Sequence, residues 1–154
     1  SRPRRFGKSL LIDTIHCLFE GRKELFEGLF IYERWDWSKK FPVIHIDFSQ
    51  KKAERPEDLK VFIKNTLRDI SRENEVEWDE SLSYDEAFKR TLINLSKKNK
   101  VVILIDEYDK PIIDNIEEVE LAKGMREVLK GFYQLIEGCR IQDVIKSLHM
   151  FRLI

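Results

Sequence analysis

The chain has 154 residues, 42% hydrophobic and 36% charged, a balance that supports one core under a heavily charged surface. Lysine plus arginine and aspartate plus glutamate stand at 28 each, so no net field marks the chain for nucleic acid or an acidic membrane. The two cysteines, Cys17 and Cys139, lack metal-ligand spacing, and no apolar run reaches membrane-spanning length or reads as a signal peptide, so the expectation is a cytoplasmic protein with reduced core thiols.

The chain opens with Ser-Arg-Pro-Arg-Arg-Phe-Gly-Lys-Ser, whose last three residues, Gly7, Lys8 and Ser9, have the chemistry of a phosphate-binding loop. Gly7 lets the backbone approach a phosphate, Lys8 carries the cation, and Ser9 offers a hydroxyl to Mg²⁺. The first glycine of the usual G-x-x-x-x-G-K-[ST] pattern is replaced by Arg2, so a basic tail before an ordinary helix is the competing reading. The helix expected from Leu10 to Phe19 places Leu11, Ile15, Leu18 and Phe19 on its buried face, with Gly21 as its stop. A short helical turn follows at Glu24–Gly28. Tyr32, Trp35 and Trp37 resemble a base-stacking surface only superficially, because no lysines interleave them; packing is the expectation.

Pro42–Phe48 reads as a strand with Asp47 near its end. His45 is expected to be a satisfied sheet histidine, since no second ligand stands at metal spacing. Asp47 either shares a sheet edge with a later acid or caps its own strand end. After Pro56 comes an amphipathic helix with Leu59, Phe62, Ile63, Leu67 and Ile70 inward. The acidic stretch Asn74–Leu82 reads as an exposed connection. Ser83 to Glu86 forms a capping box ahead of a second helix carrying Ala87, Phe88, Thr91, Leu92 and Leu95. Lys97–Lys100 is a solvated loop and a weak nucleic-acid signal.

Val101–Ile105 is an apolar run ending in Asp106 and Glu107, the pattern of a buried parallel strand whose C-terminal end carries chemistry. Beside a phosphate loop, Asp106 serves to organise Mg²⁺ and Glu107 to orient the attacking water. The competing reading is a core strand with solvated acids at its tip. A long helix then buries Leu121, Met125, Val128, Leu129, Phe132 and either Leu135 or Ile136, ending near Gly138. Ile141, Val144, Ile145 and Leu148 fall at helical spacing in the tail. Strand and helix alternate, which predicts an α/β layered domain with a parallel sheet.

The segments RPRRFGKSLLIDTIHCLFEGRKELFEGLFI, FPVIHIDFS, VVILIDEYDKPI and MREVLKGFYQLIEGC resemble the AAA-ATPase-like family of bacteria and archaea. These are P-loop proteins, many with a PD-(D/E)xK nuclease-like domain further along, and the family also has RPRRFGKS where other loops have their first glycine. The resemblance runs from about Arg2 to Cys139. It implies a P-loop NTPase-like domain over residues 1–139, incomplete at both ends, and a divergent helical tail over 140–154. It further implies ATP and Mg²⁺ as cofactors, nucleotide contacts at Phe6, Gly7, Lys8, Ser9 and Leu10, metal contacts at Ser9 and Asp106, and catalytic roles for Asp106 and Glu107 (Walker A and Walker B). A hydrolase or ATP-driven switch is the function implied. Its partners are a nucleotide and a protein or downstream nuclease-like domain.

Two other functions compete. A truncated remnant or protein-interaction module shares every feature above, favoured by the missing strand ahead of Ser1 and the absent sensor strand after Cys139. A nuclease needs an acid two residues before a lysine on one strand face. The residue two before Lys110 is Tyr108, and Asp58-Leu-Lys60 has that spacing but lies in a helical pattern.

Overall fold

The computed structural model describes residues 8–50, 52–139 and 144–146. Residues 1–7, which hold most of the loop motif, lie outside the described residues, as does the Lys8 side chain.

The elements in chain order are α1 (Lys8–Phe19), β1 (Val43–Asp47), α2 (Pro56–Glu73), α3 (Tyr84–Ser96), β2 (Val101–Asp106), α4 (Lys110–Ile113), α5 (Val119–Gly138) and β3 (Val144–Lys146), with short 3₁₀ turns at Lys23–Phe26 and Phe30–Glu33. The strands form one parallel sheet in the order β1-β2-β3. The expected parallel pairing of the two apolar strands is therefore present, and Asp47 stands opposite Asp106 in its register. The tail departs from the helical expectation: Val144–Lys146 pairs with Val101–Ile103. Ladder hydrogen bonds beside the apolar Val101–Ile103 of β2 satisfy backbone that a short isolated helix leaves open at both ends.

Alternation along the strands splits the core. Ile44, Ile46, Val101 and Ile103 face α2, α3 and α5, whose stripes bury Leu59, Ile63, Leu67, Phe88, Leu95, Met125, Phe132 and Ile136. Val43, Val102 and Leu104 face α1 and meet Ile12, with Ile15, Phe19 and Phe41 at the margin. The buried residue of α1 is thus Ile12, at 3% exposure; Leu11, expected inward, is 43% exposed. Leu10, Leu11 and Ile12 form an unbroken apolar run near the start of α1, and only the sheet decides which of them is covered, while Ile15 and Phe19 keep the inward side expected of them.

Local signals hold elsewhere. Gly21 adopts φ 75° and ends α1, with Gly21 and Arg22 N–H groups donating to the carbonyls of Leu18 and Cys17. Glu86 accepts the Ser83 N–H at 3.2 Å and its hydroxyl at 2.7 Å. Trp37 packs on Phe26 and Tyr32, and Trp35 meets Phe19 edge-on, so these aromatics are packing groups. Cys17 and Cys139 are not disulfide-bonded and are only half-buried, short of the core position expected; the Cys139 thiol donates to the Leu135 carbonyl at 3.1 Å. The 74–82 connection is not simply exposed: Val76, Trp78 and Leu82 pack on the core. It is pinned by Asn94 and Lys64, which donate to the carbonyls of Glu77 and Glu80.

α5 crosses α2 at Gly124, where an added Cβ lies 2.5 Å from Pro56 Cγ. Gly124→Ala is expected to force the helices apart and to cost about 1–3 kcal/mol. Urea denaturation showing no loss of stability would refute this account of the crossing.

Candidate functional site

The direction of α1 decides whether a site exists. Its C-terminal end is held at the start of β1, where the Phe41 N–H donates to the Phe19 carbonyl at 2.9 Å. One turn earlier the His16 and His45 rings meet edge-on, with centroids 5.4 Å apart. Further back Ile12 packs with Leu104, near the end of β2. α1 therefore runs antiparallel to the strands. Ser9 lies about 4.5 Å beyond Ile12 along the axis, at about 1.5 Å rise per residue. The exposed N-terminal turn of α1 thus reaches the sheet edge that carries Asp47 and Asp106.

Both aspartates share the face of α1. Asp106 follows Leu104 at an alternation of two, and Asp47 follows Val43 and His45 in the same way. Asp106 is 6% exposed, and its Oδ1 accepts the Glu107 N–H at 2.9 Å. Asp47 Oδ1 accepts the Ser49 N–H at 2.8 Å. Asp47 thus does both things weighed for it: it shares the edge with Asp106 and it caps its own turn. The second carboxylate oxygen of each has no protein partner among the described residues.

Glu107 is not the next rung of the strand. The ladder ends at Asp106, and Glu107 turns into the left-handed region at φ 50°. Its carbonyl accepts the Lys110 N–H at 3.0 Å, starting the turn into α4. A non-glycine residue held there is strained by roughly 1–3 kcal/mol, and such strain clusters at functional sites. The turn is braced by Lys110, whose Nζ reaches both oxygens of Asp114 at 2.6 and 2.8 Å.

Asn115, which the sequence does not single out, is 7% exposed and donates to the carbonyls of Ala53 at 3.1 Å and Pro111 at 2.9 Å. It ties the loop after β1 to α4, the segments that follow the two strand-end acids. An asparagine behind a proline-led helical turn is the signal that points to it. Asp13 is a second residue of this end: it sits one turn from Ser9, and its charge acts on His45 together with those of Asp47 and Asp106.

His45 departs from the satisfied histidine expected. Its Nε2 is buried without a hydrogen-bond partner. Burial first, and then the neighbouring His16, hold its pKa below the ordinary histidine value. Asp58-Leu-Lys60 lies in the first turn of α2, where Asp58 accepts from the Arg55 backbone and guanidinium at 2.9 and 3.0 Å, a capping role that leaves no nuclease geometry there. Among the described residues no group of three or more His, Cys, Asp or Glu is placed to hold a metal ion, and no helix is long and apolar enough to cross a membrane.

The described residues form an α/β domain whose parallel sheet ends in two acids on the face of α1. The sequence matches the family described as "Predicted AAA-ATPase" over residues 1–150, and the chain belongs to that AAA-ATPase-like family. The match passes Cys139 and takes in β3, beyond the limit set by the residues that carry the resemblance. The chain is similar to the "Uncharacterized protein in vnfD 5'region" of Azotobacter chroococcum mcd 1, at 38% identity over 146 residues, which cover 89% of this chain and 27% of that protein. It therefore spans about a quarter of that relative's length. No solved structure matches the chain.

Two outcomes are expected. Because its pKa is depressed in the fold, His45 stabilises the native state fully above the unfolded histidine pKa of about 6.5, and that contribution falls as pH drops through the folded value. Urea midpoints measured between pH 8 and pH 5 should fall with acid in the wild type and less steeply in His45→Leu; parallel slopes contradict the assignment. Separately, Glu107→Gly should raise stability by up to about 1 kcal/mol through relief of the positive φ. A loss of stability in that variant means the turn is not strained.

Proposed function

We propose that this chain is the nucleotide-binding part of an Mg²⁺-dependent P-loop ATPase or ATP-driven switch, with P-loop NTPase-like layering over residues 1–139. What supports the reading is the direction of α1, whose N-terminus points toward the end of the sheet that carries Asp106 and Asp47. A helix N-terminus offers unpaired N–H groups and partial positive charge to a phosphate.

The donor set suits Mg²⁺. Two carboxylates on adjacent strands repel one another, and each keeps one oxygen free of protein donors. A hard cation that takes one or two carboxylates and leaves its other positions to water and phosphate would fit such a pair. When bound, Mg·ATP supplies the phosphoryl group and neutralises charge that develops on it.

The chain's residues divide the work. Gly7 and the backbone around Phe6–Leu10 admit the phosphates, and Lys8 neutralises them. Ser9 and Asp106 would hold the metal, directly or through water. Asp106 is fixed for this by its burial and by the Glu107 N–H. Glu107 orients the attacking water, and its left-handed backbone turns its side chain out of the strand register that Asp106 keeps. A protein or downstream nuclease-like domain as recipient of the switch remains part of this proposal, in keeping with the much longer relative.

Fluorescent-nucleotide titration tests it. Lys8→Ala should weaken Mg·ATP binding at least about tenfold, or about 1.4 kcal/mol. Asp106→Asn should abolish the Mg²⁺ dependence of binding, while Glu107→Gln should bind normally and lose phosphate release. Equal affinity for wild type and Lys8→Ala sinks the nucleotide reading. Identical losses from the two acid variants mean that their roles are not divided.

A further inference from the structure

The outer edge of β1 lies at the floor of a cleft of about 600 Å³. α1 forms one wall with His16 and Glu20, and α2 forms the other with Thr66, Asp69, Ile70 and Glu73. The phase of the ladder shows which backbone groups face this cleft. The Val102 N–H donates to the Pro42 carbonyl at 2.9 Å, and the Phe48 N–H donates to the Asp106 carbonyl at 3.1 Å. Even-numbered residues of β1 therefore face β2, and Val43, His45 and Asp47 turn their backbone groups outward. The Asp47 carbonyl accepts from the Gln50 N–H at 3.4 Å. The N–H groups of all three and the carbonyls of Val43 and His45 have no partner among the described residues.

We propose that this recessed edge is a docking site for an extended peptide of a partner protein, adding a strand beside β1 with basic side chains turned toward α2. Main-chain pairing supplies affinity in this mode and the walls supply selectivity. The walls also choose the occupant. A bare strand fits between two helices, whereas a second copy brings its own α1 and α2 against those of the first. Charge sets the side-chain chemistry. Asp69 and Glu73, one turn apart on α2, present carboxylates along the cleft, and the nearest charged partner of Asp69 is Arg68 Nε at 3.8 Å. Glu20, on the opposite wall, is already engaged by His16 and Arg22. The two lysines of the cleft gather at the start of β1, where Lys98 donates to the Asn74 carbonyl and Lys40 packs over Gly21. Nucleotide chemistry at the opposite end of β1 plays no part in this site.

The probe is a labelled eight-residue peptide of alternating valine and lysine, titrated into the full chain by fluorescence anisotropy with amide shifts followed by NMR. Binding should shift Val43 and His45, and Asp69→Asn with Glu73→Gln should weaken it about tenfold. N-methylation of one alternate set of peptide amides should abolish binding, and methylation of the other set should be tolerated. A valine–glutamate peptide should bind at least about tenfold more weakly. Absence of binding, tolerance of both methylated sets, or shifts confined to another surface overturns the proposal. So does a dimer in sedimentation equilibrium that shields the Val43 and His45 amides from exchange.

Discussion

The register between β1 and β2 governs the rest of the molecule. Side chains alternate along a strand, so one frame sends Ile44, Ile46 and Ile103 to the three-helix side and Val43, Val102 and Leu104 to α1. The same frame carries Asp47 and Asp106 to the face of α1 at the end where that helix begins. A slip of one residue on either strand exchanges its two faces, pressing an aspartate toward the apolar side and lifting isoleucines out of it. Burial of both faces of the sheet is what forbids the slip, so the core specifies the position of the polar end as firmly as it specifies itself.

The two ends of the sheet are built differently. At the start of the strands, backbone groups are tied across elements: Phe41 to Phe19, and the Asn99 side chain to the Lys40 carbonyl. That end is a seam. At the other end the acids are held by short local bonds from Ser49 and Glu107, the loops are joined through Asn115, and the turn at Glu107 keeps an unfavourable φ. One carboxylate oxygen of each acid stays open there, the feature on which the proposed nucleotide site rests. Membership of the AAA-ATPase-like family agrees with that distribution without depending on it.

The polar contacts inside the helical layer are of another kind. Ser71 and Thr91 face each other across α2 and α3 at 3.2 Å, both buried. Asn94 accepts from Lys97 at 3.0 Å while it pins the loop before α3. These groups satisfy one another and orient helices; they lie on the far side of the sheet from α1 and the acids.

The sequence by itself determined the elements whose signals are local. Pro56 opens α2, the Ser83–Glu86 box opens α3, Gly21 closes α1, and the apolar run before Asp106 reads as a buried strand. The candidate site was legible as residue types, a lysine and serine ahead of a helix and acids at strand exits. Residues 1–7 were read from sequence alone. Only the tertiary structure decided that Ile12, and not Leu11, is covered, because a run of apolar residues does not say which side meets the sheet. It also decided that Val144–Lys146 joins β2 as a strand, since a short apolar segment takes its conformation from the partner it pairs with. The pairing of Asp47 with Asp106, the buried Nε2 of His45 and the left-handed turn at Glu107 belong to the same class. Each is a relation between residues distant in the chain or a strain imposed by them, and neither periodicity nor propensity encodes such relations.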